Sequence, residues 1–421
     1  MLAVCLSYCV VWGSAQEVPA GDRNYQGFKD QQWKAFNPKY NLLRWERAKR
    51  AVALGKRVFE LESAGHDTAC AHQILTEVNW LLGKTAEFAR TDERLDELEN
   101  LLANPDLERL AEQQDLRDGS WGGCYTEWFF KLDATYDRLS DNSTPFLVAP
   151  RFLDRVNSPD KLRDYFLSVS TSDIAHRGRD NVRELNEALA DLMRMILTGR
   201  PSNYRWDPNL RAALMDLILN RLRNSETGWW GERYLENGNV RFVDDLSMTF
   251  HVVRYLDRKV PEIGKLIDTA LALRNQDSPP GWLSNGNYTD HNNMDVAVLF
   301  EYGWNTASDS QREEMRKELR KMQDWCLKQS LQADGSFRIT QDSDSIEEST
   351  YFGVAFLARI GFFDKSRCFW TEQNFLQSND IRQRIIAYIL KHRGSGATGG
   401  TYYESALREL DFSPPLRDRV K

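Results

Sequence analysis

Two adjoining stretches of the sequence arrange their apolar residues in different ways. Residues 308–331, SDSQREEMRKELRKMQDWCLKQSL, carry one apolar stripe through Met315, Leu319 and Met322, and the rest is charged or polar. Residues 347–363, EESTYFGVAFLARIGFF, are apolar nearly all round. An amphipathic helix covers a core and faces water, whereas a helix that is apolar all round is buried. The contrast predicts outer helices that alternate with inner helices.

The same alternation recurs along the chain. Glycine-aromatic turns (DGSW at 118–121, GWWG at 228–231, GW at 281–282, DGSF at 334–337) each precede an apolar segment. With three weaker units, inner helices are predicted to start near residues 67, 121, 180, 243, 292, 346 and 401, at steps of roughly 50–60 residues. Since strand alternation is scarce, we predict an all-α protein: a single α/α toroid of seven helical hairpins over residues 40–410, with little sheet. Six hairpins, with the last pair as an appendage, is the alternative.

The N-terminal residues predict export. Residues 2–12, LAVCLSYCVVW, form a short apolar run that small residues follow. This is typical of a signal peptide, here 1–15, and predicts a secreted or periplasmic protein; a buried N-terminal strand is the alternative. Residues 16–39 are then an N-terminal extension and 411–421 a C-terminal tail. No later segment reaches eighteen apolar residues, so no membrane span is expected.

Composition excludes some partners. The 421 residues include 55 Lys and Arg against 62 Asp and Glu, a net charge of −7, which does not resemble a basic nucleic-acid footprint. The 13 tryptophans suit a large helical core and also stacking on sugar rings. We expect a monomer that binds no nucleic acid.

The cysteines do not predict a metal site. Behind the predicted signal peptide lie Cys70, Cys124, Cys326 and Cys368, far apart and without CxxC or histidine-paired spacing. Separate buried thiols are expected, with at most one or two disulfides. Neither a metal nor a cofactor is expected.

In a toroid, the loops that lead into the inner helices gather at one mouth. The helix N-termini there carry a positive dipole that suits an anionic substrate. The predicted substrate-binding residues are Arg177, Arg179, Arg233, Arg241, Trp121, Trp229, Trp230 and Trp282. Solvated loops are the alternative for the arginines, and core anchoring is the alternative for the tryptophans.

The predicted catalytic residues centre on residues 287–293, NYTDHNN. Tyr288 and His291 are three positions apart and could transfer protons from one helix face, although helix capping also explains the segment. His251 falls off the apolar stripe of its helix, so it either lines the lumen or is a hydrogen-bonded core residue. Asn181, at the start of an inner helix, either binds ligand or lies on the surface.

With these residues and the helical repeat, the chain resembles the secreted helical-toroid polysaccharide lyases. Among these it is most similar to the alginate and glucuronan lyases with a seven-hairpin barrel (polysaccharide lyase family 38), over residues about 40–410. The resemblance implies β-elimination on an anionic, uronate-containing polysaccharide. Tyr288 and His291 would be the acid-base pair, and His251 and Asn181, with Arg177, Arg233 or Arg241, would neutralise the uronate carboxylate.

Three other functions stay open. A toroidal glycoside hydrolase would use carboxylates such as Asp244, Asp290 and Asp344. The DGSW and DGSF turns are also found in terpenoid-cyclase-like toroids, although the acidic DxDD motif of the cyclases is missing. A glycan-binding protein without catalysis is the third alternative.

Overall fold

The computed structural model describes residues 25–104, 113–140, 146–256, 259–340, 343, 345–393 and 399–411. The predicted signal peptide and all but the first residue of the predicted tail lie outside these residues. The first eight helices are α1 Tyr25–Phe36, α2 Tyr40–Ser63, α3 Ala69–Lys84, α4 Phe88–Ala103, α5 Trp128–Ser140, α6 Pro159–Val169, α7 Ile174–Arg177 and α8 Val182–Thr198. The next eight are α9 Leu210–Asp216, α10 Leu246–Tyr255, α11 Ile263–Leu273, α12 Asp290–Gly303, α13 Asp309–Trp325, α14 Ile346–Arg359, α15 Ser378–His392 and α16 Gly399–Glu409.

The protein is 63% helical, which confirms the mainly helical prediction. Short 3-10 helices span Arg151–Arg155 and Lys365–Arg367, and π-helical turns at Leu217–Leu222 and Cys326–Ser330 extend α9 and α13.

A small sheet of three strands lies beside the helices: β1 Thr171–Ser172, β2 Gly231–Glu236 and β3 Asn239–Asp244. Strand β1 is parallel to β2, and β2 is antiparallel to β3. The β2–β3 turn is Asn237-Gly238, both at positive φ, as a two-residue hairpin requires. This hairpin leads directly into α10.

Six helices contact one another in chain order: α5, α8, α10, α12, α14 and α16. Each begins within about seven residues of a predicted inner-helix start. Helix α12 is buried on most sides, as an inner helix should be. Helices α6, α11, α13 and α15 pack behind them and correspond to the predicted outer helices.

The helices α2, α3 and α4 form a separate small core at the N-terminal side. A disulfide joins Cys70, at the start of α3, to Cys124 in the loop before α5. This is one of the one or two disulfides that the sequence-based expectation allowed, and Cys326 and Cys368 are free thiols.

The N-terminal extension is part of the folded unit. Helix α1 packs on α7 and buries Phe28, Lys29 and Trp33. The amine Nζ of Lys29 forms an ion pair with Asp180 at 2.8 Å, just before α8. Helix α1, in the predicted N-terminal extension, therefore contributes buried groups to the same folded unit.

Candidate functional site

The four predicted tryptophans are core residues. Trp121, Trp229, Trp230 and Trp282 are at most 2% exposed. The indole nitrogens of Trp229 and Trp230 donate to the backbone carbonyls of Leu266 and Ile218 at 3.0 and 2.8 Å. Stacking on a sugar needs an open ring face, so the prediction of sugar stacking is wrong at these positions.

The four predicted arginines do not form a cluster. Arg177 is exposed, and Arg179 pairs with Glu184 at 2.7 Å. Arg233 and Arg241 lie on opposite faces of the hairpin, because residue 233 is opposite 242 and residue 241 is opposite 234. The prediction of one basic mouth is therefore wrong.

The rings of Tyr288 and His291 lie against different helices. The hydroxyl of Tyr288 donates to Glu318 Oε2 of α13 at 3.4 Å, whereas the ring of His291 stacks on Phe352 of α14 at 4.0 Å. Helical spacing does not apply to Tyr288, because it precedes the extended N-cap residue Thr289. Burial and the charge of Glu318 raise the pKa of Tyr288 to about 12, which opposes its predicted use as a base.

The other predicted catalytic residues have separate environments. Asn181 is buried, and its side-chain amide donates to the carbonyl of Thr171 at 3.2 Å, which is a structural bond between α8 and β1. His251 lies near His291 and Arg254. Burial, with the charges of these two neighbours, lowers the pKa of His251 to about 3, so its ring is neutral at ordinary pH.

The carboxylates of the hydrolase alternative are also structural. Asp244 accepts hydrogen bonds from Thr227 at 2.8 Å and Asn224 at 3.3 Å, and Asp290 accepts one from Ser330. Asp344 lies outside the described residues.

The sequence-based predictions missed most of a second group of polar side chains, of which they named only His251 and His291. They lie at helical spacing on the six helices that contact one another in chain order, and we call them the lumen site after the toroid that these helices are predicted to form. The lumen site comprises Asp133, Tyr136 and Asp137 of α5, Arg183, Glu187, Asp191 and Arg194 of α8, His251, Arg254 and Tyr255 of α10, His291 and Asp295 of α12, Glu348 and Tyr351 of α14, and Tyr402 of α16.

One part of the lumen site is a group of four carboxyls. Asp133 and Asp137 of α5 lie near Glu187 and Asp191 of α8, so each negative charge disfavours the others. Enclosure by the helices is the main cause that raises all four pKa values, and the pKa of Asp137 rises to about 6. Asp137 nevertheless stays exposed to solvent.

Another part of the lumen site joins arginines to tyrosines. The hydroxyls of Tyr136 and Tyr255 are 3.0 Å apart and connect α5 to α10, and Arg194 donates to Tyr136. Arg254 lies close enough to Tyr255 and Tyr351 that its positive charge acts on both phenols.

Several buried polar atoms of the inner helices have no hydrogen-bond partner among the described residues. They are Asn186 Oδ1, Asp191 Oδ2, His251 Nδ1, both polar side-chain atoms of Asn293, and Ser349 Oγ. Unpaired buried polar atoms are rare in folded proteins and mark places that water or a ligand occupies. Asp191 and His251 belong to the lumen site, so their unpaired atoms support it as a binding site.

A sequence signal for this site exists. Glu187 and Asp191, or His251 and Tyr255, are four residues apart, and this spacing puts both side chains on one helix face. Apart from His251, the predicted site residues came from the loops and the helix starts instead. Within the described residues, no group of His, Cys, Asp and Glu is arranged to hold a metal ion.

Comparisons with protein-family models, with curated proteins and with solved structures give no match for this chain. The resemblance to polysaccharide lyases thus stays a hypothesis. Within the described part of the chain, every helix is too short or too polar to span a bilayer.

Proposed function

We propose that the six inner helices close into an α/α toroid and that its lumen site cleaves glycosidic bonds by hydrolysis. The closure is supported by Tyr402 of α16, the last helix. Its pKa is raised by burial first, then by the charges of Glu348 and of Asp137 and Asp133 on α5, the first of the six helices. Proximity of the first and last helices is what a closed ring requires.

The observation that carries the proposal is the group of four carboxyls on α5 and α8. Glycoside hydrolysis needs one protonated carboxyl as acid and one ionised carboxylate as base or nucleophile. Burial raises the pKa values of all four carboxyls and negative neighbours raise those of Asp133, Asp137 and Asp191 further, although Arg183 and Arg194 lower them in part, so this group holds a proton more readily than ordinary carboxyls do. Asp137, with a pKa of about 6 and access to solvent, is the proposed acid.

The rest of the lumen site suits a ligand rich in hydroxyl groups. Its tyrosines offer ring faces and hydroxyls: Tyr136, Tyr255, Tyr351 and Tyr402. The ring centroids of Tyr351 and Tyr402 are 5.9 Å apart. Tyrosine can both pack against a sugar ring and hydrogen-bond to it. The disulfide between Cys70 and Cys124 supports export as part of the same proposal, because disulfides persist in oxidising compartments.

β-Elimination on a uronate polysaccharide is the second candidate, and Arg254 favours it. The positive charge of Arg254 lowers the pKa values of Tyr255 and Tyr351, although burial raises them more. Arg254 could also neutralise a uronate carboxylate beside the neutral His251. In this reaction Tyr255 or Tyr351, rather than Tyr288, would act with His291.

A polysaccharide panel that includes neutral and uronate polymers tests both candidates. Hydrolysis releases reducing ends without new ultraviolet absorbance, whereas elimination also forms a C4–C5 double bond that absorbs. We expect Asp137→Asn to lower hydrolysis by roughly 10²–10⁴-fold, the usual worth of a positioned acid. Tyr288→Phe is the matched control and should stay active.

Three outcomes would decide against hydrolysis by the carboxyl group. If Asp137→Asn keeps full activity, Asp137 is not the acid. If the wild type produces the double-bond absorbance and Arg254→Met does not, the reaction is elimination. Cleavage of no polymer in the panel, by protein shown to be folded, contradicts both candidates.

A further inference from the structure

An exposed apolar stripe follows the outer face of α2. Leu42, Trp45, Val52 and Phe59 are 57, 62, 61 and 70% exposed. Trp45, Val52 and Phe59 are seven residues apart, a spacing that keeps them on one side of a helix. The stripe extends over most of a helix of 24 residues.

The stripe is separate from the core face of the same helix. Ala51, Leu54 and Val58 are buried against α3 and α4, on the other side of α2. The remaining exposed large apolar residues, such as Leu376, are scattered over other elements. Single exposed apolar residues are ordinary, but four on one side of a helix, including Trp and Phe, mark an interaction surface, with Lys49 and Lys56 between them.

The size of the stripe fits a protein interface. A large apolar side chain has about 150–250 Å² to bury, so the four exposed ones offer on the order of 450 Å². A standard interface buries about 800 Å² on each partner, of which about 57% is apolar, again on the order of 450 Å². The stripe therefore supplies the apolar area that one side of a stable dimer needs.

The order of residues along α2 is compatible with an antiparallel pairing of two identical helices. A two-fold axis through Val52 places Trp45, seven residues before it, against Phe59 of the second copy, seven residues after it.

We propose that α2 is the interface of a two-fold dimer of this chain, with Val52 at the axis and Trp45 packed on Phe59. This proposal is independent of the proposed function. It replaces the monomer that the sequence-based interpretation expected.

Analytical ultracentrifugation of the full chain tests the dimer. Wild-type protein should sediment as a dimer, and Trp45→Glu should weaken association at least about 30-fold, the size of a hot-spot loss. Leu376→Glu is the control, because Leu376 is 94% exposed but lies outside the stripe, and it should leave the dimer unchanged. A wild-type monomer at up to about 100 µM, or an unaffected Trp45→Glu, overturns the proposal.

Cross-linking tests the antiparallel arrangement. In a Cys368→Ala background, mixed Trp45→Cys and Phe59→Cys chains should cross-link to each other with a short bifunctional maleimide, and neither should cross-link to itself. Self-cross-linking of each variant would instead show a parallel pair and overturn the two-fold axis. Co-sedimentation of monomeric wild type with lipid vesicles would assign the stripe to a membrane surface and overturn the dimer.

Discussion

Asp290 is a buried carboxyl at the first residue of α12. It is 1% exposed and accepts a hydrogen bond from Ser330 of the π-helical turn after α13. Burial raises the pKa of Asp290 to about 7, although bonds from Ser330 and Cys326 lower it in part. These contacts join two helices. They indicate a structural role for Asp290 rather than the catalytic role that the hydrolase alternative would give it.

The raised pKa of Asp290 predicts a loss of stability at higher pH. Between about pH 4 and pH 7 the folded state keeps a proton that the unfolded state has released, so the free energy of unfolding falls as pH rises. Asp290→Asn stays neutral and should lose less stability than wild type between pH 5 and pH 8, by about 2–3 kcal/mol.

Urea denaturation at the two pH values measures this difference. Asp324→Asn, at an exposed site of the outer helix α13, is the control. If the difference in the free energy of unfolding between wild type and Asp290→Asn is equal at pH 5 and pH 8, the raised pKa of Asp290 is contradicted.

The residue scale also shows why the Tyr288–His291 pair was predicted wrongly. Spacing of three residues puts side chains on one face only inside a helix. Thr289 has φ −133° and ψ 153° and caps α12 through the backbone N–H of Asn292, so Tyr288 lies outside the helix. Its ring turns to Glu318 and Trp325, a contact between distant segments that local sequence does not show.

At the scale of elements, the disulfide ties the N-terminal helices to the rest of the fold. Cys70 of α3 and Cys124 are separated by 54 positions. In the chain-entropy model, closing a loop of this length lowers the conformational entropy of the unfolded chain. This stabilises the folded state by about 4 kcal/mol. We therefore expect Cys70→Ala with Cys124→Ala to lower the free energy of unfolding by about 3–4 kcal/mol.

Chemical denaturation of the double variant checks this value. Cys368→Ala, which removes a free and half-buried thiol, should change stability far less. An unchanged denaturation midpoint for the double variant would show that the bond does not form or does not limit the unfolded chain.

Helix positions were predictable, but the β2–β3 hairpin was not recognised. The periodic apolar segments located the inner helices because burial imposes that pattern on each segment alone. The hairpin sequence GERYLENGNVRFVD, 231–244, was interpreted as a loop of the mouth. Its Asn237-Gly238 pair is the usual signal for a two-residue hairpin turn and could have predicted it.

At the scale of the whole molecule, ring closure depends on α5 and α16. These helices are far apart in sequence, and Tyr402 of α16 lies close enough to Asp137 of α5 for the two charges to interact. Neighbouring helix axes are about 8–10 Å apart, whereas the ends of an open row of six helices would be separated by several helix diameters, ~30 Å or more.

Spin labels on α5 and α16 test the closure. In a Cys368→Ala background, labels at Arg138→Cys and Arg408→Cys should give a distance distribution centred below about 25 Å, since contacting helices bring the labels together. A labelled variant that keeps native unfolding behaviour serves as the control for folding. A maximum beyond ~30 Å would show an open arrangement and remove the enclosed lumen on which the proposed chemistry depends.

The sequence by itself determined the helical class of this protein and the positions of its inner helices. Both follow from apolar periodicity, which each segment carries on its own. Only the tertiary structure decided which polar groups meet. Asp137, Glu187 and Tyr402 come from three helices, and their proximity depends on how those helices pack. The same packing buried the tryptophans and separated Tyr288 from the lumen, because a side chain's surroundings are set by distant segments.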